Sequence, residues 1–438
     1  MGLRPPAETL SRHTIARSTM STDPKNATFT DGPMTAKVEN SGEPQPQQRS
    51  AAALPTLLAV MFINLLGFGI VVPLLPFYAK SFHATAWQIA LVFSAYAIGS
   101  FFGEPFWGRL SDRKGRKPIL ISTVSGNLAC YTAMALAPNI YIAFFVRILG
   151  GLMSGNGSVI QGYIADVTPP EDRAGRLSLL GAAYNVGLIV GPALGGLLAR
   201  PQLGHTGFEA PLFTCAGLSA ICVVMLVLFV RESRMPEAPD PVQKPNRWAV
   251  AGKAASHPLI RRAMLVTLVA GCAFTGVESI FGLWTQARFG WGPRQVGSAY
   301  AVVGIVAAFC QIVLIGPASR RFGEARVLAF GMALTAVCYI GQTYSVGAIT
   351  TIPLLAVAAF GQSIAWPNVA AIISRNAEWQ HQGQYLGLNN AMGALARVVG
   401  PFALGIGFTA MGVDAPFYMA GLFVAPAVWL AWSVRRRR

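Results

Sequence analysis

Four ionisable residues, Glu104, Arg147, Glu278 and Arg397, stand inside apolar stretches of the chain rather than between them. A charge in hydrocarbon is costly, so a residue that carries one there is a functional candidate by default. A carboxyl beside a mobile guanidinium can switch a proton on and off, because burial favours the neutral acid and the guanidinium favours the carboxylate. Glu278 is the acid deepest in any apolar stretch, and with a rise of ~1.5 Å per helical residue it lies at a depth similar to that of Arg147. Two roles are open to Glu278: proton carrier, or structural partner of an arginine. Arg147 reads either as part of the same coupling or as a side chain reaching for the outer headgroups. Arg397 comes just before Gly400-Pro401. Glu104 lies near the end of its stretch and reads first as a partner for the basic loop that follows. His13, His83, His205, His257 and His381 all fall in the tail or the loops, so no histidine competes for the proton.

The elements that must position these residues are membrane helices. Of 438 residues, 53% are hydrophobic and 12% are charged, too few polar side chains to cover a soluble protein of this size. The apolar residues come in blocks of about 20, the length that crosses ~30 Å of hydrocarbon as a helix. Twelve spans are expected: 54–78, 88–110, 118–137, 140–164, 175–199 and 211–230, then 263–287, 295–316, 325–344, 349–373, 384–408 and 415–434. Residues 1–53 form a polar tail with no signal-peptide core, expected to be disordered, and Met20 and Met34 are further eligible starts. The domains are then 54–230 and 263–438, two six-helix bundles, with 231–262 as a proline-containing linker.

The net charge of +16 would point to nucleic acid in a soluble chain, but here the basic residues lie between the apolar blocks. They concentrate in alternate loops and in the tail after Val434, while the opposite loops hold Lys80, Arg200, Arg288 and Arg294. The positive-inside rule therefore puts both termini in the cytoplasm of an inner-membrane protein. The six cysteines all sit within apolar blocks without a CxxC pair, which argues against disulfides and zinc.

Gly108, Arg113 and Gly115 recur in order as Gly316, Arg321 and Gly323, and Gly191-Pro192 recurs as Gly400-Pro401. Two similar halves in one orientation are the mark of a secondary transporter with its site between them. The loop Gly108-Arg-Leu-Ser-Asp112-Arg113-Lys-Gly115-Arg116-Lys117-Pro118 resembles the GxxxDRxGRRP-like loop of the major facilitator superfamily. Arg147-Ile-Leu-Gly-Gly151-Leu-Met-Ser-Gly155 and Gly187-Leu-Ile-Val-Gly191-Pro192-Ala-Leu-Gly195-Gly196 extend the resemblance to drug/proton antiporters. With Gly67-Phe-Gly-Ile-Val-Val-Pro73 in span 1, the tetracycline exporters are the nearest branch. The resemblance implies an all-α fold, a monomer, export of small molecules against protons across the lipid bilayer, and no cofactor or metal beyond the proton gradient.

It also implies roles for particular residues. Glu278, Arg147 and Arg397 become the proton-coupling set. Gly108, Asp112, Arg113, Gly115 and Arg116 become a conformational latch, with Asp112 facing the positive end of a neighbouring helix. Its second-half copy has Arg320 for Asp112 and Glu324 for Arg116, which argues against a symmetric latch. Gly187, Gly191, Pro192 and Gly195 form the antiporter helix motif, read equally as a hinge or as a packing face. Spans 1, 4, 7 and 10 with parts of 2, 5, 8 and 11 would surround a cavity lined by Asn64, Asn156, Gln161, Tyr184, Asn185, Gln311, Gln362, Trp366, Asn368, Asn389 and Asn390. Any one of these amides equally fits a bridge between helices.

Tetracycline exporters carry aspartates in spans 1 and 3 where this chain has Asn64 and Cys130, neither of which supplies a negative charge at neutral pH. The cavity should then favour neutral or anionic amphiphiles. An enzyme is not expected, because the chain has no GxxxxGK[ST], HExxH or GxSxG signature. A carrier of an endogenous metabolite, a channel and a non-transporting receptor on the same fold are the alternatives.

Overall fold

The computed structural model describes residues 46–233, 252, 254, 256–377 and 382–435, and every regular element among them is helical. The first half contains α1 (Pro46–Lys80), α2 (Ala86–Lys114), α3 (Arg116–Ala135), α4 (Ile140–Leu152), α5 (Asn156–Val167), α6 (Pro170–Leu198) and α7 (Glu209–Phe229), with a 3-10 turn at Pro201–Phe208. The second contains α8 (Pro258–Phe289), α9 (Pro293–Cys310), a π-helical turn at Gln311–Ile315, α10 (Gly316–Phe322), α11 (Glu324–Gln342), α12 (Ala348–Asn376), α13 (Gln382–Met411) and α14 (Ala415–Arg435). Helix α1 starts inside the stretch read from sequence as tail. Residues 1–45 and most of the 231–262 linker lie outside the described residues.

Among the described residues, ten helices are long and apolar enough to cross a membrane. Two expected spans fall outside that ten. Span 3, seen as α3, opens with Arg116 and Lys117 and carries Ser122, Thr123, Ser125 and Asn127. Span 8 is divided by the π turn into α9, whose 18 residues open with Pro293, Arg294 and Gln295, and the seven-residue α10. Span 4 also differs from the single helix expected. The chain turns through Met153, Ser154 and Gly155, and the Trp107 indole donates to the Leu152 carbonyl at 2.7 Å, a partner for a backbone group that the break frees.

Helix starts follow local rules. Asn139 accepts the Ile142 N–H at 3.0 Å ahead of α4, and the Gln88 side chain reaches back to the Thr85 N–H at 2.8 Å ahead of α2. Gly115 joins α2 to α3 with φ of 98°, and Gly323 joins α10 to α11 with φ of 83°, so the repeat seen in sequence is repeated in backbone geometry.

Packing repeats as well. In the first half α1 packs on α6, α2 on α4 and α3 on α7; in the second α8 packs on α13, α9 on α12 and α11 on α14. The halves meet through α6 on α9 and α2 on α13. These contacts are backbone-close because glycines line them: a Cβ at Gly191 would lie 2.7 Å from Gly69 Cα, and one at Gly276 would lie 2.8 Å from the Gly400 oxygen. Large apolar side chains such as Phe102, Phe145, Leu228, Val337 and Trp429 face outward, as lipid contact requires.

Candidate functional site

A cavity of about 290 Å³ lies where the two halves meet. Phe68 and Pro73 of α1, with Asn185 and Pro192 of α6, form one wall. Phe274 and Glu278 of α8, Tyr300 of α9, Gln311 of the π turn, Tyr339 of α11 and Gln362 of α12 form the other. Glu278 is the one acid among the lining residues. Its place is fixed on both sides. The Tyr300 hydroxyl donates to the Glu278 carbonyl at 3.4 Å, and Gly276 and Gly400 let α8 and α13 approach closely. That approach brings Arg397, one turn before Gly400, within electrostatic reach of Glu278. Gln362 donates to the Ala270 carbonyl at 3.2 Å, while its buried Oε1 has no partner among the described residues.

The other residues marked from sequence divide. Of the cavity set, Asn185, Gln311 and Gln362 line the space described. Tyr184 sits beside Asn185 on α6, within electrostatic reach of Arg397, Glu278 and Glu104. Asn368 donates to the Ile364 carbonyl at 2.8 Å and accepts from Ser319 at 3.1 Å; Asn389 accepts from Thr267 at 2.8 Å, tying α13 to α8. Asn156 is buried at the start of α5, Gln161 and Asn390 are exposed, and Asn64 carries a buried Nδ2 with no partner among the described residues. The Trp366 side chain lies outside the described residues. Glu104 lies within electrostatic reach of Arg397, across the α2–α13 contact. Arg147 is buried, lies 4.7 Å over the Tyr96 ring, and leaves Nε without a partner among the described residues.

Sequence reading missed the aromatic lining, since Phe68, Tyr300 and Tyr339 look like ordinary membrane side chains. The latch shows a larger omission. Arg116, buried at the start of α3, pairs with Asp112 at 2.9 Å and with Asp166 of α5 at 3.0 Å, and donates to Ser111 at 2.7 Å. Glu232 accepts the N–H groups of Arg116 and Lys117 at 2.7 and 3.0 Å, so it is Glu232 that meets the positive end of α3. Gly115 leaves room for it, because a Cβ there would lie 2.5 Å from the Glu232 carboxylate.

The second half holds a charge-inverted counterpart. Glu324, in the place of Arg116, pairs at 2.9 Å with Arg375, which ends α12 as Asp166 ends α5. The exchange of signs at Glu324 is matched by its partner. In transport assays, Glu324→Arg and Arg375→Glu should each slow turnover, and the double exchange should recover most of it. The effect should be smaller than that of Arg116→Gln, because the Arg375 side chain is 60% exposed and such pairs contribute about 1 kcal/mol or less. A double exchange as impaired as the singles would show that the pair itself is not what matters.

The family model described as Major Facilitator Superfamily matches residues 57–314 and 263–438, nearly the whole described helical array. The chain belongs to this superfamily. It is 30% identical over 357 residues to the tetracycline resistance protein, class C, of Escherichia coli, covering 81% of this chain and 89% of that one. It is 26% identical over 386 residues to multidrug resistance protein 2 of Bacillus subtilis, covering 87% and 95%. Among solved structures, a bacterial homologue of the human lysosomal transporter Spinster, inward-facing and unoccupied, superposes with a TM-score of 0.77 at 14% identity, covering 90% of this chain and 98% of that one. The superfamily fold thus accounts for the paired helix contacts and for a cavity between the halves, and the protein is a multi-pass membrane protein.

Proposed function

We propose that this major facilitator protein is a proton-coupled antiporter that exports small amphiphilic organic compounds. The observation that carries the reading is the single carboxyl, Glu278, in a cavity walled by both halves, with Arg397 in electrostatic reach. A proton and a substrate that meet in one cavity can exchange for each other without separate channels. The relatives named as tetracycline and multidrug resistance proteins support efflux as its direction. In this reading twelve spans form two six-helix bundles, both termini are cytoplasmic, Glu278 carries the proton, and Arg147 and Arg397 tune it. The Asp112–Arg116–Asp166 network locks the cytoplasmic face. Lys80, which donates to Gln286 at 2.8 Å, and Gly196, packed on Pro293, then close the outer face. A host deprived of its own efflux pumps and expressing the chain should tolerate a subset of a panel of toxic amphiphiles, and lose that tolerance when the proton gradient is collapsed. Tolerance that survives collapse would overturn the antiport reading.

Tetracycline should not lead that panel. With Asn64 and Cys130 in place of two acids, the first half offers a cationic metal chelate little attraction, and Cys130 lies in the field of Arg147. Screened charge pairs a few ångströms apart are worth on the order of a few kcal/mol each at intermediate dielectric. Expression should therefore raise tetracycline tolerance by less than about tenfold, that is, less than ~1.4 kcal/mol of discrimination. A large proton-dependent rise in tetracycline tolerance would refute this.

A further inference from the structure

The arginines of this protein differ in what surrounds them. Arg116 is held by two carboxylates, Arg288 pairs with Asp414 at 2.6 Å, and Arg397 has Glu278 and Glu104 in reach. Arg147 is only 7% exposed, and the groups in its field are Tyr96, Tyr131 and Cys130. Stacking on Tyr96 orients the guanidinium but uses none of its N–H groups, and its buried Nε has no acceptor among the described residues. A buried guanidinium is ordinarily matched by negative charge.

A second orphaned donor belongs to the same region. The Nδ2 of Asn64 is buried without a partner among the described residues. Asn64 stands three and four residues before Gly67 and Phe68, hence on the same face of α1. Gly67 faces the Tyr131 hydroxyl, and the Phe68 ring lies 5.7 Å from the Tyr96 ring on which Arg147 stacks. Phe68 also lines the cavity. Rings in contact therefore connect the cavity to Arg147, and Asn64 stands one turn along α1 from Phe68.

We propose that Arg147 and Asn64 form an anion subsite beside the cavity, which takes the carboxylate of an amphiphilic organic anion while the apolar body lies between Phe68 and Phe274. The proposal deepens the export reading and rests on it. Arg147 then chooses the head group in addition to tuning the proton, which Glu278 carries in the second half. A planar guanidinium and an amide N–H together suit the two oxygens of a carboxylate, whereas a quaternary ammonium finds only donors there.

The test uses three radiolabelled probes with one aromatic body, 2-naphthoate, 2-naphthamide and 2-naphthyltrimethylammonium, bound to the purified full-length protein in nanodiscs. Naphthoate should bind at least about tenfold more tightly than naphthamide. Asn64→Asp, which sets a like charge against the carboxylate, should weaken naphthoate by about tenfold or more and leave the ammonium probe unchanged or tighter. Arg147→Lys should weaken naphthoate several-fold and leave naphthamide within about twofold, because lysine keeps the charge but loses the fork. Equal affinities for naphthoate and naphthamide, a parallel loss of all three probes in both variants, or no binding of any probe would overturn the subsite. Transport separates the two readings. Gradient-driven export of naphthamide or the ammonium probe without preference for naphthoate removes the subsite alone, and gradient-independent flux of every probe removes the antiport reading beneath it.

Discussion

Glu278→Gln is expected to abolish concentrative export while leaving binding and downhill exchange measurable. Glutamine keeps the length and polarity of the side chain and takes away its proton, so the cavity retains its shape and loses its titrating group. Two contacts that place Glu278 do not involve its carboxyl: Tyr300 holds its backbone carbonyl, and the Gly276–Gly400 approach holds α8 against α13. The variant should therefore fold and insert normally. In energised everted vesicles its export should fall to the level of vesicles without the protein, and counterflow exchange should stay within a few-fold of wild type. Glu278→Gln that still concentrates substrate would move the proton to another group, with Glu104 as the next candidate through its shared link to Arg397.

This expectation could be framed from sequence because an acid in a long apolar stretch stands out against its neighbours. Other parts of the site were legible for the same reason: Asn185, Gln311 and Gln362 are polar where hydrocarbon would be expected, and all three line the cavity. Polarity alone could not distinguish lining from bridging, since the amide oxygens of Asn368 and Asn389 accept from Ser319 of α10 and Thr267 of α8. Aromatic lining was invisible because Phe68, Tyr300 and Tyr339 are unremarked in any membrane span. Asp166 and Glu232 were missed because they lie 50 and 116 residues from Arg116, a distance that only folding closes. Glu324 was read as evidence against a symmetric latch because one member of an inverted pair was seen without the other. Apolar length marked the crossing helices well, but it could not reveal the turn at Met153–Gly155 or the π turn at Gln311, where the apolar pattern continues across the break.

Gly151→Val should be the most damaging of the packing substitutions. Helices α2 and α4 meet backbone to backbone: a Cβ at Gly151 would overlap the Tyr96 carbonyl oxygen, and one at Gly99 would overlap the Ile148 carbonyl oxygen. No side chain can rotate away to relieve such a clash. Overpacking of this kind costs about 1–3 kcal/mol even where neighbours adjust, and here the helices themselves must separate. Separation would also lift Arg147 from the Tyr96 ring, since Arg147 lies one turn before Gly151 on α4. The expected result is a fall of at least several degrees in the Tm of the solubilised protein, with reduced accumulation in the membrane. Gly175→Val is the matched control, because nothing lies within 4 Å of a Cβ at that position. Equal Tm values for the two variants would contradict the backbone contact.

The central claim, that protons enter through Glu278 as substrate leaves, is tested most directly by following the pH gradient in energised everted vesicles as an exported compound is added. Wild-type protein should dissipate the gradient in proportion to the compound added, and Glu278→Gln should leave it unchanged at the same protein density. Equal dissipation by the two proteins, or none by a wild-type protein shown to export the compound uphill, would contradict the account.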